Sequence, residues 1–87
     1  MKYSVIWAHE ALAKLADFWL NAEERNEIEQ SANEIDRCLA TDPQNCGESR
    51  SSETRILFHE ALIVVFRVFA EDLRVVVQDV RLNRHRQ

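Results

Sequence analysis

Every basic residue after position 49 is an arginine: Arg50, Arg55, Arg67, Arg74, Arg81, Arg84 and Arg86. A guanidinium is a planar fork that clamps a phosphate through two parallel hydrogen bonds, and it keeps its charge when partly buried. The same side chains serve equally well as partners for neighbouring carboxylates or as solvating groups on strand edges. Arg50 and Arg55 either touch phosphate from a loop and the following strand or pair with Glu48 or Glu53. Arg67 is either a cleft cation or the cross-strand partner of Asp79, and the ion pair is the favoured reading. Histidine titrates near neutral pH, which makes His59 and His85 candidate proton carriers; a solvent-exposed structural role is the favoured reading of His59, at a strand end, and His9 is expected to begin a helix. Glu48 is either a base in a loop or the partner of Arg50. No two of these groups stand out as a catalytic dyad. Cys38 and Cys46 lie eight residues apart. They either pair or form half a metal site. With no second cysteine pair and no nearby histidine, zinc is disfavoured and reduced thiols are expected.

These residues must be positioned by a small number of elements. Lys2 to Trp7 reads as a strand, with Tyr3, Val5 and Trp7 alternating with more polar positions. Ala8 to Leu20 reads as a helix whose apolar face is Ala8, Ala11, Leu12, Leu15 and Trp19. Asn21 is the expected N-cap of a second helix, with Glu24 placed for a capping box, and that helix runs to about Ala40. Its stripe is Ile28, Ala32, Ile35 and Leu39, and Thr41-Asp42-Pro43 ends it. Residues 41–53 form a polar segment without periodicity, containing the only proline and the only glycine. A structureless loop of that length is uncommon in a compact domain and is often functional.

The period then changes. Thr54 to His59, Ala61 to Phe69 and Leu73 to Leu82 read as three strands, joined near Glu60 and by Ala70-Glu71-Asp72. In the middle strand Leu62, Val64, Phe66 and Val68 share the face assigned to the helices. Ile63, Val65, Arg67 and Phe69 share the other face, which is apolar enough to expect a covering partner. The fold class is α+β, of order β-α-α-β-β-β. Two N-terminal helices pack on one face of a small, mostly antiparallel sheet.

The chain has 87 residues and a formal net charge of −4, with 46% hydrophobic and 30% charged residues. That is one domain, residues 1–87, with a thin core. The apolar content excludes disorder, and the single Gly and single Pro exclude collagen-like or low-complexity chains. Met1 to Ala8 lacks the apolar run of a signal peptide, and the longest apolar run, Ala61 to Phe66, falls far short of the roughly 20 residues of a membrane span. A soluble cytoplasmic protein with no membrane partner is expected. Residues 1–49 carry 4 basic and 10 acidic residues, and residues 50–87 carry 7 and 5. The acidity therefore belongs to the helices and the arginines to the sheet. The net charge counts against strong nucleic-acid binding, which rests on phosphate neutralisation.

The chain resembles the RelE/ParE superfamily of toxins from type II toxin–antitoxin modules. The resemblance is carried by Tyr3-Ser4-Val5-Ile6-Trp7 leading into Ala11-Leu12-Ala13-Lys14-Leu15, and by Ile35 to Pro43, where the second helix ends in Asp-Pro. It continues through Gly47-Glu48-Ser49-Arg50, Arg55-Ile56-Leu57-Phe58, Val64-Val65-Phe66-Arg67-Val68 and Val75 to Arg81. It implies a cognate antitoxin that wraps the toxin, and operator DNA bound only through that antitoxin. It also implies inhibition of translation by ribosome-dependent, metal-independent cleavage of mRNA, without a cofactor. Alternatives within the resemblance are a non-enzymatic, ParE-like inhibitor of DNA gyrase and an inactive member kept as an antitoxin-binding module. Cleavage of this kind needs a base for the ribose 2′-OH, an acid for the leaving oxygen and cations for the phosphorane. On the resemblance, Arg81, Arg84 and His85 are the catalytic candidates and Arg50, Arg55 and Arg67 the RNA-binding ones. The pattern departs from the family at two places: Ile63 stands where an arginine is common, and Tyr3 is the only tyrosine, so His85 is the nearest substitute for a C-terminal Tyr or His.

Overall fold

The computed structural model describes residues 2–51 and 53–84. Strand β1 (Ser4–Trp7) is followed by α1 (His9–Asn21) and α2 (Arg25–Thr41), then by β2 (Glu48–Ser49), β3 (Thr54–His59), β4 (Leu62–Phe69) and β5 (Arg74–Leu82). The sheet order is β1-β5-β4-β3-β2. β1 runs parallel to β5 and every other neighbour pair is antiparallel. This is the expected α+β arrangement with one strand more. The polar segment after α2 is not structureless: it holds a 3₁₀ turn (Pro43–Asn45) and the two-residue β2, which pairs Glu48 with Ile56 and Ser49 with Arg55.

The strand alternation sorts the side chains as the sequence pattern requires. Leu62, Val64 and Phe66 of β4 and Val75, Val77 and Val80 of β5 are fully buried against Ala11, Ile28, Ile35 and Leu39 of the helices. On α1 the packed residues are Ala11, Leu15 and Phe18. The expected face is corrected here, because Leu12 and Trp19 are 49% and 38% exposed. On α2 the buried stripe is Ile28, Ser31, Ile35 and Leu39, with Ala32 at its margin. Asn21 is not the N-cap of α2. It is the last residue of α1, its amide donates to the Asp17 carbonyl at 2.8 Å, and Glu24 occupies the cap position without a side-chain capping hydrogen bond.

Cross-links tie the layers together. The Tyr3 N–H donates to the Ala40 carbonyl at 2.8 Å, and the Trp7 indole N–H donates to Asp36 at 2.6 Å. The Ser31 hydroxyl accepts from the Ala61 N–H at 3.1 Å, joining α2 to the β3–β4 turn. Cys38 and Cys46 form a disulfide, with Cα atoms 6.6 Å apart. This corrects the expectation of free thiols: α2 ends at Thr41, and the 3₁₀ turn folds Cys46 back beside its last turn.

Candidate functional site

The register lines up the side chains on the sheet face turned away from the helices. One row is Ile6, Val76, Arg67 and Thr54. The next is Asp79, Val65, Ile56 and Glu48, and the third is Arg81, Ile63 and Phe58. Ser4, Arg74 and Phe69 form the row on the other side of the first. The middle of this face is therefore a band of Ile6, Val76, Val65, Ile56, Ile63 and Phe58. Ile6 and Phe58 are the most open of these, 46% and 52% exposed.

A bulge in β5 helps to build the face. Val65 pairs with Asp79 but Phe66 pairs with Val77, which leaves Gln78 as an extra residue. Without it the alternation of Val75 and Val77 would turn Asp79 and Arg81 inward. With it, Val80 is buried and Asp79 and Arg81 join the open side.

The arginines of this face are matched by acids. Arg67 pairs with Glu53 rather than with the expected Asp79, and its guanidinium lies 5.1 Å from the Phe69 ring centroid. Arg74 stands at the same distance from Phe69 and 3.9 Å from Asp72. Arg81, 73% exposed, is 3.4 Å from Asp79. Asp79 also takes Lys14 of α1 at 2.5 Å, because β1 ends opposite Val77 and leaves that side of β5 open to α1. The Lys14 hydrogen bond is the main cause holding the Asp79 carboxyl below its ordinary range; partial burial opposes it, and the Val80 N–H and Arg81 assist.

The remaining candidates lie elsewhere. Arg55 faces the helix layer and donates to the carbonyls of Cys46 and Gly47, at 3.3 and 3.1 Å, so it holds the β2 loop. Arg50 is exposed at the end of β2, and no acid pairs with its guanidinium among the described residues. Arg84 is separated from Arg81 by the sheet: it lines a cleft of about 660 Å³ with Ala22, Glu23, Ile28, Ala61 and Leu82, on the helix side. His59 also faces the helices, with its Nε2 buried 3.5 Å from the Glu34 carboxylate and no hydrogen bond made. Glu48 ends the middle row on β2. His85 lies outside the described residues. The proposed catalytic and RNA-binding residues are thus distributed over both sides of the sheet.

Solved structures share this architecture. The toxin–antitoxin complex RelBE2 from Mycobacterium tuberculosis matches with a TM-score of 0.77 over 95% of this chain and 93% of its own, at 17% identity. The chromosomal ParDE system of P. aeruginosa matches at 0.70 over 93% and 96%, with 19% identity. The isolated E. coli RelE toxin matches at 0.68 over 98% and 88%, with 16% identity. The chain has the RelE/ParE fold. No protein-family model matches the sequence, and no curated protein sequence does. On this RelE/ParE fold, the position where the resemblance expects an arginine on β4 is filled by Ile63 at the end of the apolar band, between Arg81 and Phe58. The sequence pattern marks only the β4 part of that band, and Ile6, Ile56, Phe58 and Val76 join it through the register. The period-two pattern of β3 holds two of them, Ile56 and Phe58, on one face.

Proposed function

We propose that the protein is the toxin of a toxin–antitoxin module and that it works through the open face of its sheet, by binding protein. The three structural neighbours, described as a toxin–antitoxin complex, a TA system and a toxin, support the first part. One observation carries the second: the centre of the face is apolar, and each arginine around it already has an acid. A phosphate backbone would have to displace Glu53, Asp72 and Asp79 and would meet Glu48 beside them. An apolar protein surface would bury Ile6, Val76, Val65, Ile56, Ile63 and Phe58 without breaking an ion pair. The antitoxin covers this face when the pair is intact. When released, the toxin binds and blocks a protein target, in the manner of the gyrase inhibitors among ParE-like toxins.

Ribosome-dependent mRNA cleavage is the second reading, favoured by the exposure of Arg50, Arg81 and Arg84. The two readings separate on controlled expression of the toxin in a bacterial host, with and without its antitoxin. Growth arrest relieved by the antitoxin is expected, with messages intact on translating ribosomes. Phe58→Asp and Ile6→Asp should abolish the arrest, and the Arg81→Ala, Arg84→Ala pair should leave it. Codon-positioned cuts that disappear in Arg81→Ala would overturn protein binding in favour of cleavage. Antitoxin binding without any growth effect would instead identify an inactive module.

A further inference from the structure

Helix α1 carries a second apolar stripe that the fold does not use. Ala11, Leu15 and Phe18 pack inward. Leu12, Ala13, Ala16, Trp19 and Leu20 are all exposed, Leu20 by 60%. At about 100° per residue, this stripe is centred roughly a third of a turn from the packed one. Among the described residues of α1 no lysine, arginine or carboxylate falls within it: Glu10, Lys14 and Asp17 occupy the third side of the helix, and His9 lies at its N-terminal end. Arg25 stands at one rim of it, its guanidinium 4.8 Å from the Trp19 ring centroid.

The stripe is symmetric about Ala16. Leu12 and Leu20 stand four residues to either side, and Ala13 and Trp19 stand three. We propose that it is a two-fold interface with a second copy of this chain, the two α1 helices packing antiparallel about an axis through Ala16. In that arrangement Leu12 of one copy meets Leu20 of the other, and the small Ala13 faces the large Trp19. Ala16 at the axis lets the helices approach at about 8 Å, the close end of helix packing. The polar groups at the ends are complementary. His9 begins the helix and Glu23 follows its end, each seven residues from Ala16, so each imidazole approaches the other copy's carboxylate. The opposed helix dipoles favour the same orientation. A patch that complements itself about an axis is what an isologous contact requires.

The interface lies on the helix layer, away from the open sheet face, so it stands independently of the function proposed above. A single helix pair is much smaller than a standard interface of about 800 Å² per partner, so the dimer is weak, with a dissociation constant on the order of 10–100 µM. Sedimentation velocity of the full chain from about 5 to 500 µM spans that range. A reversible monomer–dimer equilibrium is expected. Ala16→Glu places two carboxylates at the axis and should leave only monomer, with unchanged circular dichroism. Ala16→Cys should cross-link to itself under mild oxidation, whereas Asp17→Cys, on another side of the same helix, should not. A chain that stays monomeric at the highest concentration, a dimer that survives Ala16→Glu, or equal cross-linking of the two cysteine variants would overturn the proposal.

Discussion

Gly47 shows how one residue can be fixed by two independent constraints. Its φ is +74°, a conformation that L side chains adopt at a cost, and a Cβ built there would lie 2.2 Å from the Ile56 carbonyl oxygen. Arg55 depends on the same turn, because its guanidinium binds the Gly47 and Cys46 carbonyls. Gly47→Ala should therefore destabilise by about 3 kcal/mol or more, read as a lowered urea midpoint. Asp79 gives a smaller and pH-dependent effect. Its carboxyl is held below the ordinary value of 3.8 mainly by Lys14, so the pair stabilises the fold above that pH and the contribution is lost as pH falls through the folded value. Both side chains are substantially solvated, so screening limits the gain to about 1 kcal/mol at most. Asp79→Asn should lower the stability by that amount at pH 7, and urea titrations should show the gap closing below pH 3.8. The partners of Arg55 and Arg67 were not legible in the sequence. A carbonyl acceptor has no sequence signal, and Glu53 and Asp79 compete for the same arginine until the register is known.

At the level of elements, long strands were readable and short or irregular ones were not. β3, β4 and β5 each carry several alternations, whereas β2 has two residues and exists only by pairing with β3. The β5 bulge left a trace that alternation alone can show: buried Val75 and Val77 have odd numbers, and buried Val80 an even one. The α1 face differs from the expected one because α1 has two apolar stripes, and Phe18 rather than Trp19 packs against the core. A serine on an apolar stripe looks like a break, yet the buried Ser31 hydroxyl accepts from the Ala61 N–H. Ser31→Ala leaves that N–H unpaired and should cost about 1–3 kcal/mol, measured by urea unfolding. The disulfide closes a short loop at the end of α2. Chain-entropy reasoning assigns such a loop roughly 2–3 kcal/mol, so reductant should lower the melting temperature by about 10–15 °C. A Cys38→Ser, Cys46→Ser variant should melt near the reduced value and be insensitive to reductant.

For the whole molecule the decisive property is how charge is layered, which net charge conceals. The sequence already divides into an acidic helical half and a half whose basic residues are all arginine. On that division alone the sheet is a candidate phosphate surface. The register changes the reading, because Arg67, Arg74 and Arg81 are matched by Glu53, Asp72 and Asp79, and Arg55 is turned to the other side. Arg50 and Arg84 remain as the cations of this half without an acid pair among the described residues. Each phosphate neutralised on a single strand releases counterions worth a slope of about −0.7 in log K against log salt. Two such contacts give a slope near −1.4, whereas engaging Arg67, Arg74 and Arg81 as well would give about −3.5. Fluorescence anisotropy with a short single-stranded RNA across a salt series should return the shallower slope and weak binding. Association with the antitoxin should depend little on salt, because burying the apolar band releases no condensed ions. An RNA slope near the steeper value would mean that the arginines exchange their acids for phosphate, and the open face would then have to be treated as a nucleic-acid surface.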